Sequence, residues 1–169
     1  DMVDITFKLL SIEIPKGEWR VNDIIDVQNS IIQVKNNDSI CLSRAIVVAL
    51  ARLHSAKLQQ ILKGNLNGAE IKEINSKRSK ELTEINEGKI SENEHKTIAM
   101  GRKIQEVLAR VLHRLCNIPI RQEGNDLGDV FLFENTLDIQ IHIFNFESRE
   151  IYKGSENTNK IHLLLSENH

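Results

Sequence analysis

The chain has 169 residues, of which 40 % are hydrophobic, and its 22 basic and 24 acidic side chains leave a net charge of −2. A chain of this length is typical of one domain that buries a core without disulfides or a metal. The near-neutral charge argues against non-specific binding to nucleic acid or to an anionic membrane. The two cysteines, Cys41 and Cys116, do not form a CxxC pair, so neither a thiolate zinc site nor any other cofactor is predicted.

No run of 18 apolar residues is present, which argues against a membrane-spanning helix. The first residues lack the basic and apolar regions of a signal peptide. The sequence therefore predicts a cytosolic protein, and its ends at Asp1 and His169 suggest a segment excised from a longer chain.

The first half of the sequence predicts a strand, a polar loop and a buried helix. Residues 21–27 favour a short helix, and the β-branched residues 31–34 favour a strand that the polar residues 36–39 end. From Cys41 onward, apolar residues recur at helical spacing and surround the first three turns, which is typical of a buried helix. Asp38 or Ser39 is the expected cap of this helix, and Gly64 its expected end.

The second half predicts a helix followed by strands. Residues 65–97 are polar and indicate a solvated helical arm or insertion, with an exposed connector as the plainer interpretation. A second amphipathic helix is predicted over 98–116 and a short one over 126–135, followed by strands over 138–146, 150–153 and 160–165. Ile139, Ile141 and Ile143 are expected on one face of the sheet. This order indicates the α+β class, with a small mixed sheet packed against helices, rather than an alternating parallel sheet.

Cys41 is the residue that most suggests chemistry. A helix N-terminus offers backbone N–H groups and a partial positive charge, which favour the nucleophilic thiolate. The loop before it could also turn N–H groups toward a developing oxyanion. The alternative is a small buried hydrophobe, since free cysteines are usually inert. Cys116, at the end of the second helix, is expected to be a packing residue.

A thiolate enzyme also needs a base, and the chain has six histidines. His54 is expected on the outer face of the first helix, His113 off the apolar stripe of the second, and His142 and His162 within strands. His95 lies in the polar arm. His169 follows a strand and a short loop, which is where a base facing a helix N-terminus is expected, and it is the best candidate of the six.

The run Asp38-Ser39-Ile40-Cys41-Leu42-Ser43-Arg44-Ala45-Ile46 resembles the nucleophile motif of the ovarian-tumour (OTU) family of cysteine proteases. The run Lys160-Ile161-His162-Leu163-Leu164-Leu165-Ser166-Glu167-Asn168-His169 looks like the strand and histidine of the family's second motif. The resemblance extends from about residue 30 to the end. Ile40 stands where the family commonly has Gly or Asn, as in divergent viral, mobile-element or intracellular-bacterial members.

The resemblance implies a single OTU-like domain over residues 1–169, with a papain-type fold and the polar insertion at about 65–97. It implies a deubiquitinase in which Cys41 attacks an (iso)peptide carbonyl at the C-terminus of ubiquitin or a ubiquitin-like modifier. His169 would act as the base, and Asp38, Ser39, Ile40 and Cys41 would form the oxyanion loop. Asp38 would also be a catalytic residue. The implied partners are ubiquitin or polyubiquitin chains, and the implied compartment is the cytosol, or the host cytoplasm for a pathogen or symbiont effector.

Two other interpretations stay open. The chain could be an inactive OTU-like module that binds ubiquitin or serves a larger enzyme, or a helical interaction domain in which Cys41 is buried and inert. Arg44 is expected on the surface or in a salt bridge, because it points away from the apolar stripe.

Overall fold

A sheet that carries helices on one of its faces organises the fold. The computed structural model describes residues 4–7, 31–33, 39–76, 98, 102–122, 124–145 and 149–165. The longer helices of these ranges are α1 (Cys41–Leu53), α2 (Gly68–Ser76), α3 (Arg102–Cys116) and α4 (Leu127–Leu137). Their strands are β1 (Asp4–Phe7), β2 (Ile31–Gln33), β3 (Gln140–Asn145), β4 (Glu150–Lys153) and β5 (Lys160–Leu165).

Within the described residues the sheet has the order β2-β1-β5-β3-β4. The pairs β2–β1, β1–β5 and β5–β3 are parallel, and only the β3–β4 pair is antiparallel. The expected α+β class and mixed sheet are confirmed. The last three strands, however, do not lie in chain order, because β5 crosses back over the β3–β4 hairpin to pair between β1 and β3.

Alternating apolar residues attach β3 and β5 to the helices. Ile141, Ile143, Ile161 and Leu163 belong to the buried core with α1, and none of them exposes measurable surface. Ile139 joins them at 3 % exposure, so the expected shared face of the three isoleucines is confirmed. A period of two in a strand puts every second residue on the same face, which is how this pattern could be read from the sequence.

The first turns of α1 are apolar on nearly every side, and they are buried as the sequence predicts. Its residues from Cys41 to Ala51 are buried. The helix does not run to Gly64 as expected, because the backbone of His54 leaves the helical region. The chain then resumes as one turn at Ser55–Lys57, a π-helical segment at Leu58–Leu62 and a 3₁₀ turn at Lys63–Asn65.

The expectation of a solvated arm over 65–97 is wrong for its first part. Helix α2 packs against α3, with Ile74 only 1 % exposed. Glu73 accepts from both Lys103 and Arg110, and Glu70 pairs with Arg114. One buried isoleucine and a row of ion pairs are enough to dock a short helix whose composition is mostly polar. Residues 77–97 of the predicted arm lie outside the described residues, as does the short helix expected over 21–27.

The other predicted elements differ from the structure mainly at their ends. The predicted helix 98–116 corresponds to α3, which Asn117 ends with a left-handed backbone (φ 57°) two residues before Pro119. The predicted helix 126–135 is α4, and Asp126 caps it in a reciprocal arrangement with Asp129. Among the described helices, none has both the length and the apolar composition needed to cross a bilayer.

Candidate functional site

Cys41 is the first residue of α1, as the sequence predicts, but the helix is not capped as expected. Its N-cap is Ile40, which contributes no side-chain hydrogen bond. The carbonyl oxygen of Ile40 instead accepts the backbone N–H of Arg44 at 2.9 Å, and it lies 3.0 Å from Ser43 Oγ. The expectation that Ser39 caps the helix is therefore wrong, because the helix begins one residue too late for it, and Asp38 lies outside the described residues.

The C-terminal end of α1 contacts the sheet. His54, directly after α1, donates from Nε2 to the carbonyl oxygen of Lys160 at 2.8 Å. Lys160 is the first residue of β5, so α1 ends where β5 begins, and the two elements run in opposite directions. Thirteen helical residues and six strand residues both extend roughly 20 Å. Cys41 therefore lies toward the end of the sheet at which β5 finishes with Leu165.

That edge of the sheet also collects the ends of the neighbouring strands. Because β2, β1 and β5 are parallel, their carboxyl ends all point the same way. The chain leaves β2 at Gln33 and enters α1 at Cys41, and it leaves β5 at Leu165, four residues before His169. Crevices at the carboxyl ends of parallel strands are common ligand sites, since loops from several strands converge there.

The loop between α3 and α4 borders the segment before Cys41. A Cβ atom on Gly124 would lie 3.9 Å from the carbonyl oxygen of Ser39, and the φ of 104° at Gly124 disfavours any residue with a side chain. Burial raises the pKa of Asp129, which follows in α4, but hydrogen bonds from Arg121 and Asn125 outweigh burial and hold that pKa below its usual value. This carboxylate fixes the loop that faces Ser39.

A buried polar pair behind Cys41 was not anticipated from the sequence. Ser43 and His113 are 0 % and 3 % exposed, and Ser43 Oγ lies 3.0 Å from His113 Nε2. His113 Nδ1 lies 3.2 Å from the carbonyl oxygen of Ile118, and the ring packs edge-on against Phe133. The expectation that His113 lies off the buried face of its helix is wrong. A serine in the buried part of a helix requires a polar partner, but the carbonyl oxygen three residues earlier can supply one, so the sequence carries no signal that points to His113.

Of the predicted catalytic residues, the structure describes Cys41 alone. Asp38 and His169 lie outside the described residues. In the predicted oxyanion loop Ser39 is half-buried, Ile40 is 4 % exposed and Cys41 is 6 % exposed. The structure thus describes the N-terminal end of α1 and the course of the strands around it.

The remaining candidates have structural partners. Arg44 is 3 % exposed and its guanidinium lies 3.4 Å from Gln105 Oε1, so the expected surface position is wrong. Cys116 donates to Thr136 Oγ1 at 3.1 Å, and burial raises the pKa of its thiol, in line with the packing role expected for it. His142 donates to Glu150 at 2.8 Å.

His162 pairs with His142 across the β3–β5 ladder, and the two ring centroids lie 5.4 Å apart. Burial, together with the neighbouring His142, lowers the pKa of His162 to about 4. The described residues contain no group of three histidine, cysteine or carboxylate side chains arranged to hold a metal ion. We find no second candidate site among these histidines.

Comparisons with known proteins do not assign the chain to a family. No family model, curated protein or solved structure matches it. The OTU resemblance therefore depends on the two motifs around Cys41 and His169 alone.

Proposed function

We propose that this chain is a thiol-dependent hydrolase of the OTU type that cleaves (iso)peptide bonds at the C-terminus of ubiquitin or a ubiquitin-like modifier. The observation that carries the proposal is the antiparallel course of α1 and β5, which pack against each other and meet at the contact between His54 and Lys160. It directs Cys41 toward the edge at which β5 ends, and the sequence supplies His169 four residues beyond that end. A nucleophile and a base from distant parts of the chain would thereby share one edge of the sheet.

The chemistry follows from that pairing. The Cys41 thiolate attacks the scissile carbonyl carbon, and the carbonyl oxygen becomes an oxyanion next to the backbone of the Asp38–Cys41 loop. The C–N bond then breaks, and the imidazolium of His169 gives its proton to the departing amine. Water attacks the resulting thioester, His169 takes the water proton, and the modifier leaves with a free carboxylate while the Cys41 thiolate is restored.

A mass measurement with a reactive modifier tests the proposal. The protein is incubated with ubiquitin that carries a C-terminal electrophile, and the intact mass is recorded. We expect one adduct on wild-type protein and on Cys116→Ser, and none on Cys41→Ala. Failure of the wild-type protein to form an adduct, with ubiquitin or with ubiquitin-like modifiers bearing the same electrophile, would overturn the proposal. An adduct at Cys116 instead would overturn the assignment of Cys41.

The low exposure of Cys41, at 6 %, favours a second candidate, which is a module that binds ubiquitin without cleaving it. Iodoacetamide distinguishes the two, because it is small and needs only an accessible thiolate. An active nucleophile should react faster than Cys116, whose thiol is held protonated by burial. Slow alkylation of Cys41 combined with measurable ubiquitin binding would identify the non-catalytic module.

A further inference from the structure

A chain of buried hydrogen bonds links α3 to the peptide that precedes Cys41. Ser43 Oγ lies 3.0 Å from both the Ile40 carbonyl oxygen and His113 Nε2, and His113 Nδ1 lies 3.2 Å from the Ile118 carbonyl oxygen. The planar peptide unit joins the Ile40 carbonyl to the N–H and Cα of Cys41. A bond that turns the Ile40 carbonyl therefore also turns the atoms from which the Cys41 side chain starts.

Counting protons shows that these three bonds depend on the charge of His113. The two carbonyl oxygens can only accept, and the Ser43 hydroxyl has one hydrogen. If Ser43 donates to Ile40, His113 Nε2 must donate to Ser43, and Nδ1 must donate to Ile118 as well. All three bonds form together only when both ring nitrogens carry a proton.

The neutral ring must give up one bond. A bare Nδ1 facing the Ile118 oxygen at 3.2 Å would set two lone pairs against each other, so the neutral ring keeps its proton on Nδ1. Nε2 is then an acceptor, and the Ser43 hydroxyl turns toward it and away from Ile40. The Arg44 N–H remains on the Ile40 carbonyl in both states, at 2.9 Å.

We propose that Ser43 and His113 are positioning residues for Cys41, and that protonation of His113 turns the Ser43 hydroxyl from the imidazole to the Ile40 carbonyl. The catalytic meaning of this switch rests on the proposed hydrolase function, whereas the switch itself does not. Among the described residues, the charged groups that act on His113 are Asp129 on α4, which favours the imidazolium, and Arg121 in the α3–α4 loop, which opposes it. Burial opposes protonation most strongly, so the pKa of His113 lies below its ordinary value and the neutral ring dominates at neutral pH.

Amide spectra of protein labelled with ¹⁵N-cysteine test the switch without any substrate. The chain contains two cysteines, so the spectrum has two cysteine amide peaks. Cys116 lies three residues after His113 on the same helix and senses its charge directly, whereas Cys41 senses it through Ser43. We expect both peaks to move as His113 titrates on the acid side of neutrality. In Ser43→Ala the Cys116 peak should still move, while the Cys41 peak should lose most of its shift.

His113→Gln is the conservative variant, since its amide can donate to Ser43 as Nε2–H does but cannot titrate. We expect the Cys116 peak to stay fixed with pH, and the Cys41 peak to lose the part of its shift that follows His113 and to stay near its acid-side wild-type position. If Ser43→Ala fails to fold, this variant still tests the switch. A Cys41 amide that does not titrate in the wild-type protein, or that titrates equally in Ser43→Ala, would overturn the proposal.

Turnover of a ubiquitin substrate separates this inference from the proposed function. In Ser43→Ala we expect kcat to fall roughly tenfold to a hundredfold on the acid side with KM unchanged, and less above the titration of His113. The kcat of His113→Gln divided by the kcat of the wild type should change with pH, because the Ser43 hydroxyl changes partner with pH only in the wild type. Titrating peaks in a protein without activity would reject the hydrolase and keep the switch. An active enzyme whose Cys41 amide peak does not titrate would reject the switch and keep the hydrolase.

Discussion

The imidazole of His54 lies 2.8 Å from the carbonyl oxygen of Lys160, 106 positions later in the chain. This bond joins the residue that ends α1 to the residue that begins β5. It lies at the opposite end of α1 from Cys41, so Cys41 lies toward the other end of β5.

Loss of this contact should lower the free energy of unfolding. His54→Ala removes a donor from a carbonyl at the start of β5, and we expect a cost of about 1 kcal/mol, typical of one hydrogen bond. His54→Gln, whose amide can still donate, should recover part of that loss. Urea unfolding of the three proteins gives the comparison, and equal midpoints for all of them would show that the bond does not contribute.

Substitution of either the proposed nucleophile or the proposed base should remove most of the hydrolytic activity. Cys41→Ala should abolish hydrolysis of ubiquitin chains, and His169→Ala should lower turnover roughly a hundredfold or more, because general acid–base catalysis is lost. Members of one catalytic unit are not additive, so the double variant should be scarcely slower than Cys41→Ala.

The control for this pair is Cys116→Ala, which should keep its activity. Turnover is followed by gel assay, and thermal unfolding confirms that each variant folds. Wild-type turnover by Cys41→Ala would reject the hydrolase, whereas full activity in His169→Ala would reject only the choice of base.

Gly154 is required because a carboxylate occupies the space of its missing side chain. A Cβ atom there would lie within bonding distance of the Glu134 carboxylate. That carboxylate accepts the Ile141 N–H at 2.8 Å and the Tyr152 hydroxyl, so displacing it breaks two hydrogen bonds in or near the core. We expect Gly154→Ala to cost about 2–4 kcal/mol in free energy of unfolding.

Gly68 provides the matched control. A Cβ atom at this position, at the start of α2, would meet no other atom within 4 Å. Gly68→Ala should therefore be neutral or stabilising by up to about 1 kcal/mol, because alanine loses less conformational entropy on folding. Chemical denaturation measures both variants, and equal stabilities for the two would contradict the role assigned to Glu134.

Helix α2 should be held by its isoleucine rather than by its charges. Ile74→Ala removes a side chain that is 1 % exposed, and we expect a loss of about 2–4 kcal/mol. Glu73→Gln breaks partly exposed ion pairs to Lys103 and Arg110 and should cost less than about 1 kcal/mol. Unfolding curves at low and high salt distinguish the two effects, since only the loss from Glu73→Gln should shrink with added salt. A neutral Ile74→Ala would restore the interpretation of this segment as a solvated arm.

His162 should make the folded state sensitive to acid. Its pKa is about 4 in the folded chain, below the ordinary histidine value of about 6.5, so between these values the unfolded chain binds the proton more readily. The free energy of unfolding therefore rises with pH through this window. The contribution of His162 is fully present above about pH 6.5 and is lost as the pH falls toward 4. The expected difference between pH 7.5 and pH 4.5 from this residue is about 2–3 kcal/mol.

A substitution isolates that contribution from the other titrating groups. Within the described part of the chain, neither ring nitrogen of His162 has a hydrogen-bond partner, so His162→Leu removes two unsatisfied polar atoms as well as the titration. Unfolding free energies at the two pH values should differ by about 2–3 kcal/mol less in this variant than in the wild type. A difference that the substitution leaves unchanged would show that other groups cause the acid sensitivity.

Local pattern in the sequence determined most of the elements and the face that each one buries. The period of the apolar residues distinguishes a helix from a strand. It therefore predicts a helix from the apolar start of α1 and a strand from the alternation around Ile141 and Ile143. The positions of β4 and β5 follow from the same pattern. The nucleophile candidate Cys41 was also visible, because it stands where a polar loop meets a buried helix.

Tertiary structure alone decided which elements are neighbours. The insertion of β5 between β1 and β3, the docking of α2 on α3 and the burial of His113 against Ser43 all join residues far apart in the chain. Such contacts depend on the partner as much as on the residue itself, so the pattern around His113 shows a polar side chain and cannot show the serine that satisfies it. The direction of α1 across the sheet likewise depends on its packing against distant strands, and the local sequence near Cys41 does not show it.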